Sequence, residues 1–431
     1  MTQNRKLYMQ IYDYYKNLIE DGKLTEGMKL PSIRRCADER NVSKTTVESA
    51  FMCLCDDGYI MPKSQSGYYV SKRGVNPKSL ILKEPQENSE SKIIFDFSSS
   101  GVDSESFNMD IWRRYVKSAL RQTEKLLFYG EPQGEIELRR EIAKYVQETR
   151  NCVCNEENIV IGAGVQALLN VLCPLIKSRK SVCFDDENYK QGMAIFKDYG
   201  YKILSKEKSN ILYVSPSYSS KTGDTMSVQE RFALVGYARK NNKLIIEDDY
   251  GSEFRYFNRP TPSLQGLDGG ENVVYLGTFS KLLLPSIRIS FMILPDVLLS
   301  EYKKKRELYN QTVGKVDQIA LCSYIRDGHL NSQIRKSRKL YMQKSKILSD
   351  LLIQKFGEKV RIVKSDSPLY VRCIFNLDLS NEQICKTLND KGISVINSDR
   401  NGEIVLSVSS VSINSLEKAT DIMKKSIVIC Q

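Results

Sequence analysis

Apolar residues Leu7, Ile11, Tyr14, Leu18 and Ile19 recur at the spacing of one helix face, and Gly22 ends the run. After Gly27, Leu30-Pro-Ser32 offers Ser32 as the cap of a second helix reaching about Glu39. Asn41-Val-Ser43 is then a tight polar turn and a second cap, which predicts a third helix from Lys44 to about Asp57. Two short helices joined by such a turn form a helix-turn-helix, whose second helix enters the major groove of DNA. Gly58-Tyr-Ile60 and Ser66 to Val70 predict a hairpin turning near Pro62 to Ser66, a wing. Residues 73 to about 94 lack periodicity, are polar and contain two prolines, the composition of an extended tether.

From residue 95 the pattern changes. Trp112 begins a helix, and an amphipathic helix carries Leu138, Ile142, Tyr145 and Val146 on one face. Short apolar runs at Ile159–Ile161, Val182–Phe184, Ile211–Val214, the stretch from Leu244 and Val273–Leu276 alternate with helical patterns. That alternation, which continues through Leu294, predicts an α/β fold with a mostly parallel sheet and its ligand at the C-terminal strand ends. From about 300 the chain turns helical and basic, at Tyr302 to Arg306 and Arg335 to Lys346, which reads as solvated helix faces. Strands at Val360–Val363, Leu369–Ile374 and Ile404–Val408 alternate with helices in a small α+β part at the C-terminus.

Composition narrows the class. A length of 431 residues suits two or three domains, and no apolar run approaches the ~18 residues of a membrane span. The polar N-terminus does not read as a signal peptide. Eleven cysteines scattered through apolar segments suit the reducing cytoplasm. Cys53-x-Cys55 and Cys152-x-Cys154 have no second pair or histidines beside them, so no metal site is expected, and the lone His329 leaves little scope for histidine catalysis. Net charge is +12, yet residues 1–73 hold twelve Lys and Arg against nine Asp and Glu, so charge does not locate a DNA-binding part.

Chemistry concentrates in two stretches. In Tyr275-Leu-Gly-Thr-Phe-Ser-Lys281, a strand opens into a polar turn, and the following Leu282 to Leu284 would partly desolvate Lys281. Desolvation leaves a lysine neutral and able to attack an aldehyde. Thr278, Ser280 and Arg288 offer two hydroxyls and a guanidinium fork, which hold a phosphate dianion. An aldehyde carrying a phosphate is pyridoxal 5′-phosphate (PLP). Upstream, Leu244-Ile-Ile-Glu-Asp248-Asp-Tyr250 supplies what that ring needs: Asp248 for the pyridine nitrogen and Tyr250 for the phenolic oxygen. The plainer alternative, a solvated loop lysine and a surface arginine, explains neither the second stretch nor its spacing. Gly162-Ala163-Gly164-Val165, between a strand and a helix, can present backbone N–H groups to the phosphate, though such glycines also occur in ordinary turns.

These stretches resemble the fold-type I aminotransferases, in which Asp-x-(x)-Tyr and Ser/Thr-x-Ser-Lys-x(6)-Arg do these jobs. The pattern Leu30-Pro-Ser-x-Arg34 with Val42-Ser-Lys-Thr-Thr-Val47 resembles the GntR family head. Together the chain resembles the MocR subfamily of GntR-type transcription regulators, a winged helix-turn-helix fused to an aminotransferase-like domain. The resemblance implies a DNA-binding domain at 1–72, a linker at 73–94 and a PLP-binding effector domain at 95–431 with a small subdomain from about 331. It implies DNA contacts from Arg34, Ser43, Lys44, Thr45 and Thr46, a wing shaped by Gly67, and a Schiff base at Lys281. Tyr189 would stack on the ring, and Tyr129 would reach the phosphate in a partner subunit, hence a homodimer.

The chain departs from the aminotransferase pattern in three places. Glu187 stands where many members have proline, no asparagine occupies Pro216 to Gly223, and Val405 stands where the substrate-carboxylate arginine is expected, with Arg400 the nearest substitute. The expected function is a DNA-binding transcriptional regulator that senses PLP, an amine or an amino acid through Lys281, with vestigial or very slow transamination. The rival readings are a PLP-dependent aminotransferase with an accessory head, and a repressor that no longer binds PLP.

Overall fold

The computed structural model describes residues 6–64, 66–72, 93–98, 101–103, 105–186, 189–217, 225–256, 261–398 and 403–429. Residues 73–92 of the tether expected at 73–94, Glu187, residues 218–223 and Arg400 lie outside these. The chain divides into two compact units, Met1–Glu90 and Ser91–Gln431.

The first unit carries helices α1 (Leu7–Glu20), α2 (Ile33–Arg40) and α3 (Lys44–Asp56), then strands β1 (Ile60–Lys63) and β2 (Gly67–Val70). Ser32 and Ser43 cap α2 and α3 by accepting from the backbone N–H of Arg35 and Thr46, and Asn41 turns the chain between them in the left-handed conformation at φ 51°. The buried face of α1 differs from the expected stripe. Tyr12 and Tyr15 join Ile11 and Ile19 inside, while Leu7 and Tyr14 are exposed. The phenols go inside because each finds a partner there: Tyr12 donates to Asp57, and Tyr15 packs edge-on against Phe51 at 5.5 Å. The wing turn is tighter than expected, since Pro62 lies within β1, paired with Tyr68, and the turn falls after Lys63. A two-stranded hairpin consists of edges, where a proline costs no ladder bond that is needed.

The second unit begins with β3 (Phe95–Asp96) and is built on a seven-stranded sheet. Its strands are β4 (Ile159–Gly162), β5 (Ser181–Phe184), β6 (Lys202–Ile203), β7 (Ile211–Val214), β8 (Leu244–Asp248), β9 (Val273–Thr278) and β10 (Ser290–Ile293), in the order 4-10-9-8-7-5-6. All neighbours run parallel except β10, which is antiparallel to both β4 and β9. Strands β4, β7 and β10 are buried at every residue, which is why they read as continuous apolar runs without alternation. A four-stranded antiparallel sheet follows, β11 (Val360–Val363), β12 (Tyr370–Phe375), β15 (Glu403–Ser407) and β14 (Ile396–Asn397), while β13 (Ile393–Ser394) pairs with β3.

Two expectations need correction. The helix expected from Trp112 starts at Met109, where Asn108 accepts from the N–H groups of Asp110 and Ile111. Within the basic helix His329–Phe356, Lys344 is buried against Asp103 and is no solvated charge. No helix among the described residues is long and apolar enough to cross a membrane.

Candidate functional site

Strand β9 ends at Thr278, and the chain immediately buries Phe279, Leu282 and Leu283. Lys281 is carried inward between them and is only 3% exposed. Its amine faces the rings of Tyr250 and Tyr370, at 5.5 and 6.0 Å from their centroids. Burial pushes its pKa down to about 8.

Lys281 opens into a cavity of about 390 Å³ lined also by Gly164, Val165, Tyr189, Asp248, Tyr250, Thr278, Ser280 and Arg288. The same wall includes Gln166, Gln191, Pro285 and Ser290, which sequence reasoning missed. Ser290 was hidden because it belongs to the antiparallel β10, where it stands opposite Thr278 and donates to its hydroxyl at 2.9 Å. A serine opening an otherwise apolar strand was the available signal.

One end of the cavity suits a dianion. The side chain of Ser280 is buried with no hydrogen-bond partner for its hydroxyl oxygen. Helix Val165–Leu175 begins at Gly164 with no side-chain cap, so its first N–H groups remain to be satisfied. The Arg288 guanidinium lies against Gly164, where a Cβ would collide with Nη2. Both backbones are in the left-handed region, Gly164 at φ 90° and Arg288 at φ 53°, and a non-glycine residue held there is strain of the kind that collects at ligand sites. An orphan hydroxyl, a guanidinium, an uncapped helix start and a buried amine fit the phosphate and aldehyde of PLP. The other expected cradle residues do not line the cavity. The N–H of Ala163 donates to Thr312 at 2.9 Å, and Gly162 lies within β4, where a Cβ would come within 2.7 Å of Leu168. They bring the helix close to the sheet. Tyr129 is fully exposed, away from this chain's own cavity.

Asp248 also lines the cavity, and burial pushes its carboxyl up to about 6, against the pull of a 2.6 Å bond from Tyr213. Tyr250 is pushed up to about 12 by burial. The alternation of β8 sends the flanking carboxylates to the other face of the sheet. There Arg150 grips Asp249 with two bonds of 2.6 and 3.0 Å, and Ser217 and Tyr275 donate to it at 2.5 Å each. Burial alone would raise Asp249, but these partners hold it below the ordinary range. Glu247 accepts the N–H groups of Leu264 and Gln265, both at 3.0 Å.

In the first unit, Arg34 in the first turn of α2 and Lys44 and Thr45 at the start of α3 are exposed. Ser43 also bonds the hydroxyls of Thr45 and Thr46 at 2.8 and 2.7 Å. Gly67, at φ 105°, turns the exposed wing.

Comparison with known proteins follows this division. Residues 7–70 match the bacterial regulatory proteins of the gntR family, and residues 92–210 match the aminotransferases of class I and II. The uncharacterized HTH-type transcriptional regulator YdeL of Bacillus subtilis is 36% identical over 415 residues, covering 91% of this chain and 89% of that protein. The probable rhizopine catabolism regulatory protein MocR of Rhizobium meliloti is 25% identical, covering 90% and 85%. An archaeal alanine:glyoxylate aminotransferase has the fold of the second unit: TM-score 0.70, 20% identity, 79% of this chain and 92% of that one.

The buried amine predicts a pH signature. With its pKa depressed from 10.5 to about 8, Lys281 takes up a proton on unfolding between those values, so its burial cost is full below pH 8 and fades as pH rises towards 10.5. Lys281→Met removes that cost. Urea unfolding should show the variant's advantage over the native chain largest at pH 7 and shrinking above pH 8; an advantage constant across pH 7–10.5 contradicts a buried, depressed lysine.

Proposed function

Because this chain belongs to the MocR subfamily of GntR-type transcription regulators, a helix-turn-helix head joined to an aminotransferase-like domain, we propose that it couples DNA binding by residues 1–72 to PLP held by residues 95–431. The observation that carries this reading is the buried Lys281 amine sharing one cavity with Asp248 and with the Ser280, Gly164 and Arg288 cradle.

PLP, when bound, supplies an aldehyde that condenses with amines and a ring that withdraws electrons. The chain's residues divide that work. Lys281 presents a partly neutral amine at physiological pH. Arg288, Thr278, Ser280 and the uncapped helix start would hold the phosphate, Asp248 the pyridine nitrogen, and Tyr250 the phenolic oxygen, with Tyr189 against the ring face. Tyr129 and its exposed neighbours Leu127 and Phe128, at 76 and 74% exposure, form an apolar patch that a second copy would cover, which supports a homodimer.

Turnover is the weaker half of the chemistry. Val405 lies in β15, 4% exposed, and an aliphatic side chain there offers no fork to align a substrate carboxylate. A small amine, an amino acid or PLP itself is therefore the expected signal, and rapid transamination is not expected.

Two outcomes test the assignment. Added PLP should give the native chain a visible absorbance band, and borohydride should then fix a pyridoxyl group on the peptide containing Lys281; a Lys281→Ala chain that still acquires the label refutes the site.

For the head, Lys44→Ala or Arg34→Ala should weaken binding to operator DNA. If the lost contact is to phosphate, the slope of log affinity against log salt should drop by about 1. Unchanged affinity and slope in gel-shift titrations of both variants would remove these residues from the DNA surface.

A further inference from the structure

Asp248 has a partner that the functional assignment leaves unused. Tyr213 lies on β7, opposite Ile246 of the parallel neighbour β8, so its side chain shares a sheet face with Asp248 two residues further on. Its hydroxyl donates to Oδ2 of Asp248 at 2.6 Å. The residue is 3% exposed. Its ring is stacked on Phe184 with centroids 4.9 Å apart, and the ring of Tyr189 lies 5.5 Å away on the cavity side. Tyr213 is thus packed against two aromatic rings, and its hydroxyl, which also shares a hydrogen bond with Tyr189, gives its proton to one carboxylate oxygen.

We propose that Tyr213 is a positioning residue for the cofactor: it holds one carboxylate oxygen of Asp248, so that the other is presented to the pyridine nitrogen, and thereby sets how tightly the chain grips PLP. This rests on the assignment of the cavity to PLP. A buried carboxylate with a single opposite-charge partner in a ligand is free to rotate and easy to protonate, and a phenol bond of this length restrains both. The surroundings leave Tyr213 to do this. The carboxyl is pushed up by burial and by the neighbouring Asp249, and Tyr213 is what pulls it down. Tyr189 and Tyr250 are phenols whose own pKa values burial raises, and Tyr189 shares its hydrogen bond with the Tyr213 hydroxyl. The cavity's cations, Lys281 and Arg288, are placed for the aldehyde and phosphate ends.

Tyr213→Phe keeps the ring and its stacking and deletes only the oxygen. In the full chain, PLP affinity is measured from the visible band and from quenching of the intrinsic fluorescence, at pH 6.5 and pH 8.5, for native and variant proteins. Without its donor, Asp248 protonates more readily, so the variant should lose about tenfold in affinity at pH 6.5 and much less at pH 8.5, where Asp248 is ionised in both. Changes in Lys281 and in the PLP phosphate are common to the two proteins and cancel in the ratio. The Asp248→Asn background supplies the second arm: there Tyr213→Phe should cost no further affinity. Equal affinities at both pH values, a loss independent of pH, or a loss that persists in full beside Asp248→Asn would each overturn the proposal and reduce Tyr213 to packing. If the native chain shows no PLP band at all, the assignment of the cavity fails first, and the proposal falls with it.

Discussion

The site depends on a buried ion pair that never touches the cavity. Glu247, Asp248 and Asp249 are three carboxylates in succession at the end of a central strand, and a strand must send alternate side chains to opposite faces. Arg150, buried at the end of helix Ile136–Arg150, takes Asp249 in a two-bond grip, and Ser217 and Tyr275 satisfy the rest of that carboxylate. Glu247 anchors the start of helix Leu264–Asp268. With its neighbours committed below, Asp248 is left facing the cavity. Removing one member of such a buried pair strands the other and typically costs about 3–5 kcal/mol, so the register that aims Asp248 is strongly enforced. Strand β9, paired beside β8, then delivers Thr278, Ser280 and Lys281 along the same rim.

Much of this was legible because local rules decide it. Ser32 and Ser43 announce their helices by capping them, and Lys281, Asp248 and Arg288 stand beside strand ends whose apolar runs are visible in the chain. What escaped depends on neighbours across space. Tyr213 acts on Asp248 only because β7 pairs with β8 in a particular register. Ser290 reaches Thr278 because β10 runs against its neighbours, an orientation that alternating strands and helices do not reveal. Tyr370 arrives from the second sheet. Helix α1 buries Tyr12 and Tyr15 in place of Leu7 and Tyr14 because Asp57 and Phe51 offer partners that no helical spacing encodes. Lys344 reads as one more solvated charge until Asp103, 241 residues earlier, is brought against it. Gly162 and Ala163 look like a phosphate cradle, but one is needed for close packing and the other has spent its N–H on Thr312.

The same geometry ties Lys281 to both sheets of the second unit. Its amine lies within about 6 Å of the ring of Tyr250, which follows the central strand of the seven-stranded sheet, and of the ring of Tyr370, which opens β12 of the four-stranded sheet. Ring faces attract an ammonium and lose that attraction when the nitrogen becomes neutral or is drawn away. A change in what Lys281 bonds to therefore alters contacts on both sheets at once, which is the property required of an element that two ligands bias in common. Linkage then requires that any effect of PLP or an amine on DNA affinity be returned as an equal effect of DNA on the affinity for that ligand.

The most direct measurement is the operator affinity of one preparation in three states: free of PLP, loaded with PLP, and loaded with PLP in the presence of a primary amine or amino acid. On this account at least one of the two additions shifts the dissociation constant by about 5- to 150-fold, and Lys281→Ala abolishes the shift while leaving DNA binding intact. Identical affinities in all three states, together with rapid multiple-turnover transamination of a common amino acid, would contradict it and make the second unit an enzyme.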